Sequence, residues 1–443
     1  MRENIIAAVK AAGVVGAGGA GFPTYVKINA DVDTVIVNGA ECEPLLRAHQ
    51  LIMASESDKL ITGLKIIMQA TGAQRGVIGL KRKYEDAVRK LEEELKKTNE
   101  QNIELFFLPD IYPAGDEQVL VFEVTGRIVP EGGIPLHVGV VVANVETLIN
   151  VAQAVSGQPV IEKYVTVTGA VNKPGTFKVP IGMIIRELIE LAGGTSMPNY
   201  AVVDGGPMMG KMTTADRAVT KTTGGIIVLP QDHSLVTQKN MPWSVIVNRA
   251  KAVCCNCRAC TDSCPRNLLG HSLEPHRVMQ AVGKGQYNMA DVLTKAFLCS
   301  ECGLCDTFGC TMGLSPRRVN AELKRQFGQS RIKNPHNAAP EKSRINREYR
   351  LIPTKRLLYR LGLDGYDVKA PLNTEAVITK DVRIQLSQHI GAPAQPIVHT
   401  GDFVNKGDLI AVIPEGAAVG MNLHASISGQ VYAIDGWIGI QSV

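Results

Sequence analysis

No stretch of this chain offers the roughly 18 consecutive apolar residues that a membrane-spanning helix needs. The opening segment, MRENIIAAVKAAG, has an amphipathic helical pattern and lacks the long apolar core of a signal peptide. Charge of one sign is scarce as well. Lys and Arg number 47 and Asp and Glu 42, a net charge of +5 over 443 residues, too weak to argue for a nucleic-acid partner. These absences lead us to expect a soluble, cytoplasmic protein in a reducing compartment. It should have no nucleic-acid role and no direct membrane span, and any service to a membrane should run through a partner. What is present suffices for real cores: 45% of the residues are hydrophobic, and the length suggests about three domains.

Cysteine is concentrated rather than scarce. Nine of the ten cysteines fall between Cys254 and Cys310. Cys254, Cys257, Cys260 and Cys264 are spaced C-x2-C-x2-C-x3-C and followed by Pro265, the bacterial ferredoxin pattern for a [4Fe–4S] cluster. Cys299, Cys302, Cys305 and Cys310 repeat it with one residue inserted before the last cysteine. Three cysteines two residues apart wrap three corners of a cubane from one turn, and the fourth thiolate must come from elsewhere. In two-cluster ferredoxins it comes from the other motif. The expected ligand sets are therefore Cys254, Cys257, Cys260 and Cys310 for one cluster, and Cys299, Cys302, Cys305 and Cys264 for the other. Zinc sites and disulfides are the alternatives. Zinc favours separated ligand pairs over a tight triple, and disulfides do not suit a chain without an export signal. Cys255 reads as a small filler, although it leaves the ligand choice beside Cys254 slightly open.

Before the cysteines, helix-like and strand-like segments alternate. Ile5, Ile6, Val9 and Ala12 share a helical face. TVIVN (34–38), GVIGL (76–80), IELFFLP (103–109) and VGVVVANV (138–145) read as buried strands, with a charged helix from about Tyr84 to Lys97. Continuous apolar strands between helices indicate an open, mainly parallel α/β sheet over residues 1–160. Residues 161–235 read as a β-grasp module: a hairpin YVTVTGAV-NKPG-TFKVP, a helix, and strands at AVVDGG and GIIVLP. Residues 241–330 carry the cysteines on short helices. Residues 331–370, rich in Lys, Arg, Asn and Pro, read as a basic linker or loosely packed strap. Residues 371–443 turn β-rich.

The glycine loop Gly16-Ala17-Gly18-Gly19-Ala20-Gly21 fits G-x-G-x-x-G, with Glu41 or Glu43 about 20 residues on. The dinucleotide fingerprint follows a strand, however, and this loop follows a helix, so a standard Rossmann site is rejected. Its exposed backbone N–H groups still suit an anionic phosphate; a tight structural turn is the alternative.

The strings GAGGAGFPTYVK, VNGAECEP, AGDE and ANVET together resemble the flavin- and NADH-binding subunit of respiratory complex I. They resemble the C subunit of Rnf-type electron-transport complexes more closely. VNGAECEPLL, EVTGRIVPEGGIPLHVGVVVANVETLINV and DGGPMMG are most similar to one branch, the cobalamin reductases of propanediol-utilisation microcompartments. The resemblance covers almost the whole chain. It implies a multidomain α/β protein with an open parallel-sheet flavin domain, an SLBB-like β-grasp domain, a helical ferredoxin-like dicluster domain and a C-terminal barrel-sandwich hybrid. GDFVNKGDLIAVI and LHASISGQVYAID resemble the two halves of a lipoyl or biotinyl carrier. The tip between them, PEGAAVGMN, has no lysine to modify, which disfavours a swinging arm. In the Rnf protein this domain precedes the flavin domain; its place at the C-terminus favours the cobalamin reductase branch.

The resemblance also implies FMN and NADH in the first domain. By motif, Gly16 and Gly18 line the FMN, Lys27 approaches its phosphate, and Asn38 and Glu41 contact the flavin. Gly115, Asp116 and Glu117 occupy the complex I G-E-E position, and Asn144 and Thr147 the N-V-E-T position. Phe22 is expected to stack on nicotinamide or adenine and Glu43 to bind a ribose hydroxyl. Ala40 stands where the complex I pattern has aspartate, and Cys42 where it has serine, which removes a polar flavin contact. The implied path is NADH to FMN, FMN to two [4Fe–4S] clusters, and clusters to an oxidised corrinoid, with relay to a protein partner as the alternative. An adenosyltransferase or a shell protein is a candidate partner, and a bacterial microcompartment a candidate location. No residue reads as a corrinoid ligand; His271 and His276 are the nearest candidates, against a packed or solvated role for each.

Overall fold

The computed structural model describes residues 1–442. Its first domain is built on four parallel strands: β1 (Thr34–Gly39), β2 (Arg75–Lys81), β3 (Ile103–Leu108) and β4 (Val140–Asn144). Their order is β3-β2-β1-β4. The strands are apolar throughout because both faces are covered. Val35, Val37, Ile78 and Val141 belong to the core that also holds Leu64 and Ile67 of α2 (Ser57–Thr71) and Leu148 of α5 (Val145–Val155). Ile36, Val77, Val140 and Val142 belong to a second core with Leu120, Val121 and Val124 of α4 (Glu117–Thr125). Between α2 and α5 the backbones nearly touch: a Cβ on Gly63 would lie 2.0 Å from the Leu148 carbonyl oxygen. Helices α1 (Arg2–Ala11) and α3 (Glu85–Thr98) complete the layer.

The strand order reverses between β1 and β4. In open α/β sheets such a switch point splays the two following loops apart and leaves a crevice at the carboxyl ends of the strands. Here those loops begin at Ala40 and at Asn144.

The β-grasp domain pairs β5 (Glu162–Gly169) with β6 (Gly175–Pro180) as an antiparallel hairpin. Helix α6 (Ile185–Leu191) follows, then β7 (Tyr200–Asp204) and β8 (Gly225–Pro230), in a six-stranded sheet that Lys211–Thr213 and Leu372–Asn373 extend at its two edges. The cysteines lie among α7 (Trp243–Val253), α8 (Pro275–Gly283) and α9 (Pro316–Gln329), whose buried Ile246, Val278, Val282, Val319 and Leu323 form one core.

The segment read as a loose strap is packed in its second half. Ile352 pairs with Tyr112 on a short antiparallel ladder, and Arg347, 7% exposed, meets Glu123. Helix α10 (Thr354–Leu361) buries Leu357, Leu358 and Leu361 in the core that also holds Tyr112 and Cys302. Its basic residues are the solvated face of an amphipathic helix, which composition alone reads as a linker.

The C-terminal unit is a sandwich of two sheets. One contains β9 (Asp381–Gln385), β11 (Gly429–Ile434) and β12 (Trp437–Gln441), the other β10 (Leu409–Val412), around Val382, Ile410, Leu423, Val431 and Ile440. The lysine-free tip is docked at its C-terminal end. Met421 is buried, and the Asn422 carbonyl lies 3.5 Å from Lys221 Nζ, which donates to the Gly13 carbonyl at 2.6 Å. This contact joins three domains.

Leu357→Ala is expected to cost about 2–5 kcal/mol of packing and to speed limited proteolysis within residues 331–363, with far-UV circular dichroism unchanged. Wild-type cleavage rates in the variant would show that the strap is not held by this helix.

Candidate functional site

A cavity of about 430 Å³ opens at the switch point. All twelve expected cofactor-binding residues line it: Gly16, Gly18, Phe22, Lys27, Asn38, Glu41, Glu43, Gly115, Asp116, Glu117, Asn144 and Thr147. Cys302 lines it too, so the cavity shares a wall with the cysteine segment.

Hydrogen bonds fix that wall. Asn144 caps α5 by accepting from Glu146 N at 2.9 Å, and its Nδ2 sits 3.0 Å from His49 Nε2. A Cβ on Gly18 would fall 2.3 Å from that Nδ2, so only glycine fits there. Thr147 Oγ1 accepts from Ala17 N at 2.9 Å, so it holds the glycine loop itself. Lys163 donates to the Ala17 carbonyl at 3.1 Å and pairs with Glu146, both side chains 2% exposed. Asn38 Nδ2 donates to the Gly115 carbonyl at 2.8 Å. Asp116 caps α4, accepting from Gln118 N and Val119 N, each at 3.1 Å, and receives Arg266 of the cysteine segment at 3.1 Å. Lys27 pairs with Glu117 at 2.7 Å. Phe22, 38% exposed, stands at the rim.

Two carboxylates leave β1 and end differently. Glu41 Oε2 meets His49 Nδ1 at 2.8 Å. Burial alone would raise the Glu41 carboxyl; His49 outweighs it and holds the group below the usual carboxylate range. Burial opposes the His49 cation, and Glu41 in turn lifts it above its ordinary value. Glu43 accepts from Met208 N at 2.9 Å and Met209 N at 2.8 Å, in the Gly205–Gly210 loop of the β-grasp domain. A Cβ on Gly206 would fall 2.0 Å from Glu43 Oε2. Burial pushes the Glu43 carboxyl up to about 7 against these two donors. The residue expected at a ribose hydroxyl thus has both oxygens engaged in a strut between domains. Cys42, beside it, is half-buried; desolvation first and the neighbouring Glu41 and Glu43 next push its thiol up to about 12, so it stays neutral.

The cysteines gather in two groups. Cys260 is pushed up to about 12 by burial, then by Cys310, Cys254 and Cys257 around it. Cys264, Cys299, Cys302 and Cys305 line one small cavity. The two turns share a conformation. Asn256 and Glu301 have φ of 55° and 58°, and Arg258 and Gly303 have φ of 69° and 78°. Such left-handed residues turn successive N–H groups toward one point, the geometry of an anion nest. Glu301 N donates to Cys299 Sγ at 3.3 Å and Leu314 N to Cys310 Sγ at 3.4 Å. Among the described residues no three His, Cys, Asp or Glu are close enough to hold a single metal ion. A cubane keeps its four thiolates further apart than one ion does, and N–H donors to sulfur suit its charge. The groove and the two thiol groups therefore fit FMN and two clusters.

The groups differ in exposure at one edge. Cys257 and the neighbouring Cys255 are exposed, whereas Cys260, Cys264, Cys302, Cys305 and Cys310 are buried and Cys254 and Cys299 partly so. Cys255 is thus a surface residue and not the expected filler. His271 is 1% exposed with Nε2 on the Val129 carbonyl at 2.9 Å, and His276 Nδ1 lies 2.7 Å from Thr261 Oγ1. His271 is packed into the protein, and His276 is half-buried. His49, Lys163, Arg266 and Tyr112, whose hydroxyl donates to the Cys302 carbonyl at 2.6 Å, escape sequence reasoning. Each acts on a partner distant in the chain.

Four family models match in succession: a Nuo51 FMN-binding domain at residues 9–153, an SLBB domain at 164–211, a 4Fe–4S dicluster domain at 253–315, and an RnfC barrel sandwich hybrid domain at 369–440. Over 436 residues the chain is 45% identical to cobalamin reductase PduS of Citrobacter freundii, covering 98% of this chain and 95% of that protein. The chain belongs to the PduS cobalamin reductase family. The Salmonella typhimurium PduS matches with the same identity and coverage. The C subunit of the Na(+)-translocating ferredoxin:NAD(+) oxidoreductase complex of Acetobacterium woodii is 37% identical over 265 residues, 58% of this chain and 56% of that protein. Within the PduS family frame, the switch-point cavity lies in the FMN-binding domain and Cys302 in the dicluster domain.

His49→Gln tests the pair at the cavity floor. His49 has its folded pKa raised above 6.5, so its contribution is fully present below 6.5 and lost as pH rises through the raised value. Glu41, lowered from 4.5, contributes above 4.5 and loses that contribution as pH falls through its lowered value. The melting-temperature deficit of His49→Gln relative to wild type is therefore expected to be largest between these two pH values and to shrink at alkaline pH. A deficit constant with pH would remove the ion pair from the account.

Proposed function

We propose that this protein is an NADH-dependent reductase that passes electrons from NADH, by way of FMN and two [4Fe–4S] clusters, to a corrinoid. One observation carries the reading: the cavity of the FMN-binding domain and the buried cysteine group share Cys302. FMN, when bound, supplies the exchange between the electron pair of a hydride and the single electrons that iron–sulfur clusters take.

The chain's own residues do the rest. The N–H groups of the glycine loop, with Lys27, hold the phosphate. Asn38 and Gly115, already hydrogen-bonded to each other, form the wall behind the ring system. Phe22 at the open rim is placed to cover a nicotinamide and exclude water. The neutral Cys42 thiol and Ala40 leave that wall without the polar group of the complex I pattern. Cys299, Cys302, Cys305 and Cys264 hold the cluster on the cavity side, and Cys254, Cys257, Cys260 and Cys310 hold the one at the surface. The exposed Cys257 edge is where an acceptor approaches. The family likeness supports the corrinoid, and on the same ground residence in a propanediol-utilisation microcompartment, beside an adenosyltransferase or a shell protein.

A second reading is relay to a protein partner. It draws on the 37% identity to a component of a ferredoxin:NAD(+) oxidoreductase complex and on the exposed edge at Cys257.

Purified protein given NADH and cob(III)- or cob(II)alamin under anaerobic conditions is expected to turn over with no other protein present. Strict dependence on an added protein would favour the relay. Cys310→Ala is expected to damage the cluster built on Cys254, Cys257 and Cys260 and to spare the other in reduced-state EPR spectra; damage confined to the other would overturn the crossed ligand sets.

A further inference from the structure

Helices α8 and α9 each follow a cysteine run and open with matching turns. One reads Pro275-His276-Arg277-Val278-Met279, the other Pro316-Arg317-Arg318-Val319-Asn320. Val278 and Val319 are both buried, and so are Met279 and Asn320. At this last position the two halves differ in kind: one presents a thioether, the other a carboxamide.

Asn320 is 0% exposed; its Oδ1 and Nδ2 make no hydrogen bond of ordinary geometry, and its amide faces the Cys299 thiol. A buried amide with both ends unpaired is costly, and such groups persist where something pairs with them. Asn320 lines the small cavity with Cys264, Cys299, Cys302 and Cys305. One turn further along α9, Lys324 donates to the Cys299 carbonyl at 3.0 Å, which anchors the helix over that cysteine. Met279 lies in the apolar core that includes Cys310 and against which Cys254 packs. Asn267, the other asparagine beside a cysteine run, donates to the Leu273 carbonyl at 3.0 Å and is already satisfied.

We propose that Asn320 is a positioning residue whose amide N–H is reserved for a sulfur of the cavity-side cluster and raises the potential of that cluster; at the matching place beside the surface cluster stands Met279, which has no such donor. Reduction adds negative charge to a cluster, and an N–H donor stabilises that charge; an apolar side chain does not. The inference rests on the ligand sets proposed above.

The test uses the full chain loaded anaerobically with iron and sulfide, and potentiometric EPR of its two cluster signals. Asn320→Met is expected to lower the midpoint of one signal only. The reduced-to-oxidised ratio at fixed potential should fall about tenfold, which for one electron is about 59 mV. Met279→Asn is expected to raise the other signal's midpoint. If both variants retain full iron and neither midpoint moves, the role of the amide is overturned. Should Asn320→Met lose its cluster, Met279→Asn decides alone: a rise supports the proposal and an unmoved midpoint overturns it. Cys310→Ala identifies the signals. If it removes the same signal that Asn320→Met shifts, the ligand sets are at fault, an outcome distinct from an unmoved midpoint.

Discussion

Electron transfer between bound cofactors demands that they lie close, and in this molecule one residue meets that demand for two domains. Cys302 belongs to the thiol group of the cysteine segment and to the wall of the switch-point cavity. Its backbone is pinned by the buried Tyr112 hydroxyl at 2.6 Å, and Tyr112 follows the third strand of the parallel sheet. A buried neutral hydrogen bond is worth only about 0.5–1.5 kcal/mol net. Its use here is positional: it sets the distance between a loop of one domain and a turn of another that share no continuous sheet. The strap closes over the same place, with Leu357, Leu358 and Leu361 packed in the core around Tyr112 and Cys302.

A second strut guards that spacing from the β-grasp side. Glu43 leaves the first strand and takes two backbone N–H groups from the Gly205–Gly210 loop, and Arg317 of α9 donates to the Met208 carbonyl in that loop at 2.8 Å. The Arg317 backbone N–H in turn reaches Asp306 at 2.7 Å, next to Cys305. The chain of contacts thus runs from the cavity through the β-grasp domain back to the cysteine group. Hydrogen bonds to an ionised carboxylate are worth about 1.5–3 kcal/mol each, enough to offset much of the burial that lifts the Glu43 carboxyl toward neutrality. The C-terminal sandwich adds a third brace. The backbone at Gln388 and His389 approaches Gly21 within 3.1 Å of where a Cβ would sit, so the sandwich closes on the glycine loop from outside.

The parts of this arrangement legible in the sequence are those with a local period or a fixed spacing. The four strands of the sheet could be read because both faces are buried and leave continuous apolar runs. The two cysteine turns could be read because a cubane dictates its own spacing. The glycine loop could be read as a backbone cradle, and the cavity lining followed from family strings. Long-range side-chain pairing was not legible. Lys163 looks like any strand lysine until Glu146 is seen against it, and Lys27 and Glu117, 90 residues apart, look unrelated. The strap misleads because its basic residues dominate composition while three leucines at helical spacing do the packing. Glu43 misleads differently: its string identifies the family, yet its oxygens are engaged by backbone from another domain.

Exposure also distinguishes the two thiol groups at one edge. In the group that shares the cavity wall Cys264, Cys302 and Cys305 are buried and Cys299 partly so; in the other Cys260 and Cys310 are equally buried, and the group reaches the surface at Cys257. A cluster set against the cavity wall is placed to exchange electrons with the cofactor held in that cavity. A surface cluster can meet an acceptor as bulky as a corrinoid or as broad as another protein. On the proposed ligand sets, this difference in exposure would give entry and exit without a channel or a moving part. Electron delivery from the exposed edge requires only approach, which suits an acceptor handed over by another enzyme as well as one that diffuses freely.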